Sequence, residues 1–275
     1  IPAAVFNWSV PDPGFVRTYK DVDPNTVDSL QSFRDRYPGR TKKMGGRTWK
    51  YLVTGSGEKT ILFLHGMTGA YDIWWQQVLS LKDAFRIVTV TYPPADSLKE
   101  LSAGVLEILN ALQISRVNLV GSSLGGYFSQ YLVAHHPEMI EKAIFANTFP
   151  PNEIIARKNK TIGKLLPVIP EWVVMRVLRG NVEKFIYPAS GSSELVKAFV
   201  MEQSYGLMSK AQFVARFHCV IDPFQPPNLE ALGISVLIIE ADNDPLVEKA
   251  LREMLKKTYP SATVKTLSRA GHFPY

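Results

Sequence analysis

Residues 117–126 read VNLVGSSLGG, an apolar run ending on a serine flanked by glycines. A strand that turns sharply into a helix holds its corner residue in a strained backbone conformation, with the side chain pushed out above the sheet. The residues two before and two after that corner must be small. Gly121 and Gly125 meet the demand for Ser123, whereas a corner on Ser122 would crowd Val120 and Leu124. Ser123 is therefore the candidate nucleophile. Residues 125–136 (GGYFSQYLVAHH) follow with Phe128, Tyr131 and Leu132 at helical spacing before Pro137. Taken alone, such a Gly-x-Ser-x-Gly stretch also fits an ordinary strand-to-helix connection, because glycine and serine are common in turns.

The surrounding chain decides between these readings. Thr60–Leu64 (TILFL) and residues 86–92 (RIVTVTY) are apolar enough to be strands covered on both faces. Residues 142–149 (KAIFANTF), 235–240 (SVLIIE) and 263–267 read as further strands. Helices are predicted over 26–37, around 74–81, from a Ser97 cap to about 112, and over 248–259. Residues 15–20 (FVRTYK) and 48–54 (TWKYLVT) look like short strands. Such alternation requires a mostly parallel sheet flanked by helices. It stops between 150 and 221, where the text is helical, Pro-interrupted and apolar. The expected organisation is a core of residues 1–149 and 222–275, with 150–221 as a helical cap inserted after a strand's carboxyl end. Trp172 and Phe185 are candidate pocket residues there, although either could equally belong to the cap's own core.

Composition removes several classes of function. No apolar run approaches the roughly 20 residues that span a bilayer, and no signal peptide is visible, so a cytoplasmic protein is expected. The chain begins at Ile1 rather than Met, which suggests an upstream segment. Cys219 is the only cysteine, which rules out an internal disulfide and a Cys-ligated metal site; no metal or cofactor is expected. The formal charge of +6 comes from scattered Lys and Arg, denser over 34–50 and 157–164. Neither patch interleaves aromatics as a nucleic-acid surface would, so no nucleic-acid partner is expected. A mild preference for anionic substrates or lipid headgroups remains open. The sequons at Asn7 and Asn159 are read as chance matches.

A serine hydroxyl needs a base to take its proton, and that base needs an acid to fix its tautomer. His272 lies in a glycine-bearing loop at a strand end, and Asp244 lies in the loop after the preceding strand. In a parallel sheet both loops share an edge with Ser123. Asp242 competes for the acid role, and Asp244 is preferred because Pro245, Leu246 and Val247 would anchor its loop. His65-Gly66-Met67 follows the strand 60–64 and is either a plain turn or an oxyanion loop, its Met67 N–H joining that of Leu124. His65 and Gly66 would then also line the substrate site. Asn147 stands where another acid could have been, but an amide cannot play that part.

With these residues in place the chain resembles the α/β-hydrolases: HGMTG after a buried strand, GSSLGG at the corner, DNDPLV after a later strand and GHF near the end follow that superfamily's order of nucleophile, acid and histidine. Within it, TYP, SSLGGYFSQ, ANTF, VLRGN and the terminal FPY resemble maspardin-like proteins. The resemblance implies an α/β-hydrolase fold and a serine hydrolase that cleaves carboxylic esters with an apolar acyl group through an acyl-enzyme. Maspardins are viewed as binding or adaptor proteins with degraded catalytic machinery, so a scaffold with a protein partner is the alternative; here Ser123, Asp244 and His272 are all present. The same triad also serves carbon–carbon hydrolase, lyase and perhydrolase chemistry. Superfamily members carry a closing helix after the histidine, whereas this sequence ends at Tyr275. Either that part was trimmed or the His272 loop is unusually exposed and mobile.

Overall fold

A computed structural model describes residues 10–273, so the Asn7 sequon and Tyr275 fall outside it. Eight strands form one sheet: β1 (Arg40–Met44), β2 (Arg47–Thr54), β3 (Thr60–Leu64), β4 (Arg86–Thr91), β5 (Val117–Ser122), β6 (Ile140–Ala146), β7 (Ser235–Ala241) and β8 (Thr263–Leu267). Their spatial order is β1-β2-β4-β3-β5-β6-β7-β8, with β2 antiparallel to both neighbours and every later pairing parallel. The strands expected to be central are central because they are apolar throughout: all five residues of β3 are buried. In a parallel sheet every carboxyl end opens on one edge, so the loops after β3, β5, β6, β7 and β8 converge there.

The helices α1 (Pro24–Arg36), α2 (Trp75–Leu81), α3 (Leu98–Ala111) and α4 (Leu124–His135) cover the sheet. Sequence dictates their limits. Asp23 caps α1 by accepting from the Thr26 N–H, Pro24 opens the helix, and Ser97 caps α3 through the Glu100 N–H. The apolar face of α3 (Leu101, Val105, Ile108, Leu109) enters the larger core, where Trp49 lies against Gly104.

Two local readings are corrected. Residues 15–18 form a helical turn, not a strand: Gly14 begins it, and Phe15 and Tyr19, one turn apart, stack with ring centroids 4.3 Å apart. That i,i+4 aromatic contact exists only in a helix, and it outweighs the β preference of Phe, Val and Tyr. Conversely, Arg40–Met44 is a strand that the basic composition concealed. As an edge strand it pairs on one side only and leaves four of its five side chains exposed, so no apolar alternation marks it.

Between β6 and β7 the chain makes α5 (Glu153–Leu165), α6 (Glu171–Asn181), α7 (Glu194–Glu202) and α8 (Lys210–Val220), with small cores around Val174 and Val214 and around Met175 and Met208. This helical insertion is tied to the N-terminal helices by charge. The Arg34 guanidinium donates to Asp72 Oδ2 at 2.7 Å and to both carboxylate oxygens of Glu202, to which the Tyr19 hydroxyl also donates. Partly buried and multiply bonded, this pair is more than an exposed ion pair. A last helix, α9 (Lys249–Thr258), links β7 to β8. Cys219 is fully buried, donates to the Ala95 carbonyl, and burial pushes its thiol far above the ordinary range.

The corner after β5 gives the sharpest test of the packing. A Cβ on Gly121 would strike the Gly125 carbonyl, and one on Gly125 would strike the Leu64 carbonyl at the end of β3. Gly125→Ala is expected to lower the melting temperature by about 5 °C or more, read by differential scanning calorimetry, because the backbone must shift to admit the methyl.

Candidate active site

Ser123 occupies the bend between β5 and α4 with φ 55° and ψ −119°, a conformation that a residue with a side chain adopts only when its surroundings impose it. Those surroundings are visible. The Ser123 N–H donates to the Ala146 carbonyl at 2.9 Å, while its own carbonyl accepts from the Tyr127 N–H at 3.0 Å and from the Thr148 hydroxyl at 2.7 Å. The hydroxyl therefore rides on a corner fixed from three sides.

The loop after β3 lies against that corner. A Cβ on Gly66 would stand 3.3 Å from Ser123 Cβ and 3.8 Å from Ser123 Oγ, so a side chain there would crowd the hydroxyl. The Gly66 carbonyl accepts from His65 Nδ1 at 2.6 Å and from the Gly69 N–H at 3.2 Å. In a trans peptide the N–H points opposite to the carbonyl, so the same bonds leave the Met67 N–H aimed away from the His65 ring. The Leu124 N–H opens α4, where no intrahelical acceptor exists. Among the described residues no group accepts from either N–H.

His65 itself does not line a substrate site; that expectation is corrected. It is fully buried, stacks on Tyr92 with centroids 3.8 Å apart, and its Nε2 accepts from the Tyr92 N–H at 3.3 Å. Burial, helped by the Arg216 cation, holds its pKa well below the usual value, which keeps the ring neutral with its proton on Nδ1. Its role is to set the Gly66-Met67 peptide. Phe185 is 49% exposed, with the Lys184 ammonium 5.2 Å from its ring centre, and so faces solvent rather than a pocket. Trp172 is partly buried on α6.

His272 Nδ1 and Asp244 Oδ2 are 2.8 Å apart, and both residues are buried. The other carboxylate oxygen accepts from the Leu246 and Val247 N–H groups, while Asn147 Nδ2 donates to Oδ2 at 3.0 Å and to the Gly271 carbonyl at 3.1 Å. Burial pushes the Asp244 carboxyl up, but His272, Asn147 and the backbone donors outweigh it and hold it below its ordinary value. Asp242, by contrast, is exposed and accepts from the Arg269 N–H and the Ser268 hydroxyl, closing the loop after β8. His272 itself is not exposed: the residue is 3% exposed, and its N–H donates to the Ala189 carbonyl of the insertion at 2.7 Å. Among the described residues neither Ser123 Oγ nor His272 Nε2 has a hydrogen-bond partner. Nor does any cluster of three His, Cys, Asp or Glu among them form a metal site.

Three contributors escaped the sequence. Asn147 was set aside as an amide, yet an amide is what can donate to the acid and to the histidine loop together. Arg252 on α9 donates to the carbonyls of Asp242, Asp244 and Val247, cradling the acid's loop. Arg216 on α8 is 1% exposed and donates to the carbonyls of Met67, Gly69 and Tyr92. Burial pulls its guanidinium down to about 10, still cationic at neutral pH. An arginine inside the apolar run FVARFHCV was the one available signal.

A sequence profile of the alpha/beta hydrolase family matches residues 61–275. The chain belongs to this family. The α/β hydrolase is 25% identical over 221 residues to maspardin of Danio rerio, covering 78% of this chain and 68% of that one. It is also 25% identical over 244 residues to a 2-hydroxy-6-oxononadienedioate/2-hydroxy-6-oxononatrienedioate hydrolase of Burkholderia vietnamiensis, covering 81% and 84%. A hydrolase from Pseudomonas aeruginosa has the same fold, with a TM-score of 0.73 at 22% identity over 86% of this chain and 94% of the other. No described helix is long and apolar enough to cross a membrane.

Because the Asp244 carboxyl is held below its unfolded value in the folded α/β hydrolase, its ionised form stabilises the fold fully at neutral pH, and this contribution is lost as pH falls through the folded value. The stability gap between wild type and Asp244→Asn, read by urea unfolding, should be widest above the ordinary carboxylate range and close as pH falls below it.

Proposed function

We propose that the chain is a cofactor-free serine hydrolase acting on carboxylic esters, with Ser123 as nucleophile, His272 as base and Asp244 as the acid that orients it. The observation that carries this reading is the buried 2.8 Å bond between His272 and Asp244 on the sheet edge where Ser123 is held at a strained corner. Ser123 Oγ attacks the ester carbonyl as its proton passes to His272 Nε2. Asp244, already committed to Nδ1, stabilises the imidazolium. Negative charge gathers on the carbonyl oxygen and meets the Met67 and Leu124 N–H groups, which need no reorganisation because their peptides are already fixed. Collapse expels the alcohol with the proton from His272, and water then releases the acid by the same steps.

Residues 150–221 act as a cap over the core of 1–149 and 222–275, touching the oxyanion loop through Arg216 and the histidine loop through Ala189. A small cavity walled by Trp75, Leu195, Phe199, Val200 and Phe273, the neighbour of His272 in sequence, is the candidate apolar acyl site. Proton transfer needs Oγ and Nε2 within hydrogen-bond reach, and such contacts are often long without substrate and tighten when it binds.

A scaffold reading, with the same residues and little turnover, draws on the maspardin relative and on the missing hydrogen bond between Ser123 and His272. Carbon–carbon bond hydrolysis draws on the Burkholderia relative. The esterase reading expects stoichiometric labelling of Ser123 by a fluorophosphonate probe and hydrolysis of short nitrophenyl esters, with turnover falling on the order of a million-fold in Ser123→Ala. No labelling of the folded wild type favours the scaffold. Labelling without ester turnover, in a screen that includes dienedioate substrates, favours carbon–carbon cleavage.

Asn147→Asp tests the site from another side. It keeps the shape of the side chain but sets a second carboxylate about 3.0 Å from Asp244, where the two cannot both ionise cheaply. The acid limb of kcat/KM should move to higher pH, whereas a merely structural asparagine would change activity without moving that limb.

A further inference from the structure

Charge and exposed apolar surface are unevenly shared between core and insertion. Residues 150–221 hold ten Lys or Arg against five Glu, which accounts for +5 of the chain's net +6. The same stretch holds seven of the twelve large apolar side chains that are exposed among the described residues. Four of the seven lie on α5 and the turn after it: Ile154, Ile162, Leu165 and Val168, between 41% and 65% exposed.

Their spacing makes them one surface. Ile154, Lys158, Thr161, Ile162 and Leu165 follow the i, i+4, i+7, i+8, i+11 pattern of a single helix face, and that face points to solvent. The opposite face does the holding, with Gly163 against Phe217, Leu166 in the small core with Val214, and Ile155 against the main core. The outer apolar residues are therefore not needed to seat α5. On the flank between the two faces, a groove of about 700 Å³ between α5 and α8 is lined by Arg157, Lys160, Lys164 and His218. Acidic groups are also present. Glu153 pairs with Arg157, Asp96 faces His218 at 3.2 Å, and Glu248 reaches Lys158 at 3.4 Å. Lys160 and Lys164 have no ion-pair partner among the described residues.

An exposed apolar stripe bordered by unpaired lysines matches one kind of surface: acyl chains lying beneath negative headgroups. Water alone does not favour the apolar residues, and a soluble anion alone gives them no function. We infer that α5 and the turn through Val168 form a docking face for an anionic lipid bilayer, with Ile154, Ile162, Leu165 and Val168 entering the headgroup boundary and Lys160 and Lys164 meeting the lipid phosphates. The insertion lies flat on the membrane in this arrangement, and none of its helices spans it.

The test is sedimentation of the purified chain with vesicles of equimolar phosphatidylcholine and phosphatidylserine, beside vesicles of phosphatidylcholine alone. Wild type should bind the first and not the second. Lys160→Glu with Lys164→Glu should weaken binding about a hundredfold or more. Ile162→Asp with Leu165→Asp should weaken it at least tenfold, with thermal melting of both variants unchanged because all four side chains are exposed. Equal binding to both vesicles, or full binding by either folded variant, overturns the inference. Binding abolished by inorganic phosphate at constant ionic strength overturns it in favour of a soluble-anion site. A dimer that the aspartate variant dissolves, without vesicle binding by wild type, overturns it in favour of a second copy.

Discussion

The site rests on a steric fact at the end of β5: two backbones come so close that only glycine fits between them. Gly125 lies against the Leu64 carbonyl and Gly121 against the Gly125 carbonyl, which forces the carboxyl ends of β3 and β5 into contact. Two consequences follow from one constraint. Ser123 must take a positive φ, lifting its hydroxyl clear of the sheet, and the loop after β3 must begin beside it. The Ser123 hydroxyl and the Gly66 loop are thereby brought side by side by packing alone. Strain at the corner persists because close packing on every side denies it a way to relax.

Around that corner, buried polar groups are used where apolar ones would pack as well. His65, Asn147, Arg216 and Arg252 are each buried, and each spends its donors on loop carbonyls or on the Asp244 carboxylate. A buried polar group without partners is costly, and these four make most of the bonds open to them, Arg216 Nε and Asn147 Oδ1 excepted. Loops have no ladder of their own, and these side chains supply the directional bonds that strands supply to one another. Arg216 is the clearest case: a cation with no ion-pair partner among the described residues, bonded to three carbonyls from two loops and to Met208 Sδ.

The parts of this architecture legible in the sequence are those that depend on local pattern. TILFL and VLII read as buried strands because nothing polar interrupts them, and Ser97 reads as a cap because its hydroxyl serves the next turn. The corner at Ser123 was readable because sterics act within five residues. β1 was not, because an edge strand of Arg, Thr and Lys has the composition of a solvated loop. The Phe15 turn was misread because a stacking contact decided it. Asp244 and His272 could be placed on the proper edge from strand order. The roles of Asn147, Arg216 and Arg252 could not, since each depends on which carbonyls a fold brings near, a property of three dimensions rather than of sequence spacing.

The bond from the His272 amide to the Ala189 carbonyl connects the histidine loop to the helical insertion as well as to the Asp244 and Asn147 loops of the core. His272 is thus held from two sides, its backbone by the insertion and its ring by Asp244, whereas the Ser123 backbone is held by core residues. A displacement of the insertion would therefore pull on the histidine loop without pulling on the serine. The spacing between ring and hydroxyl is thereby coupled to where the insertion sits.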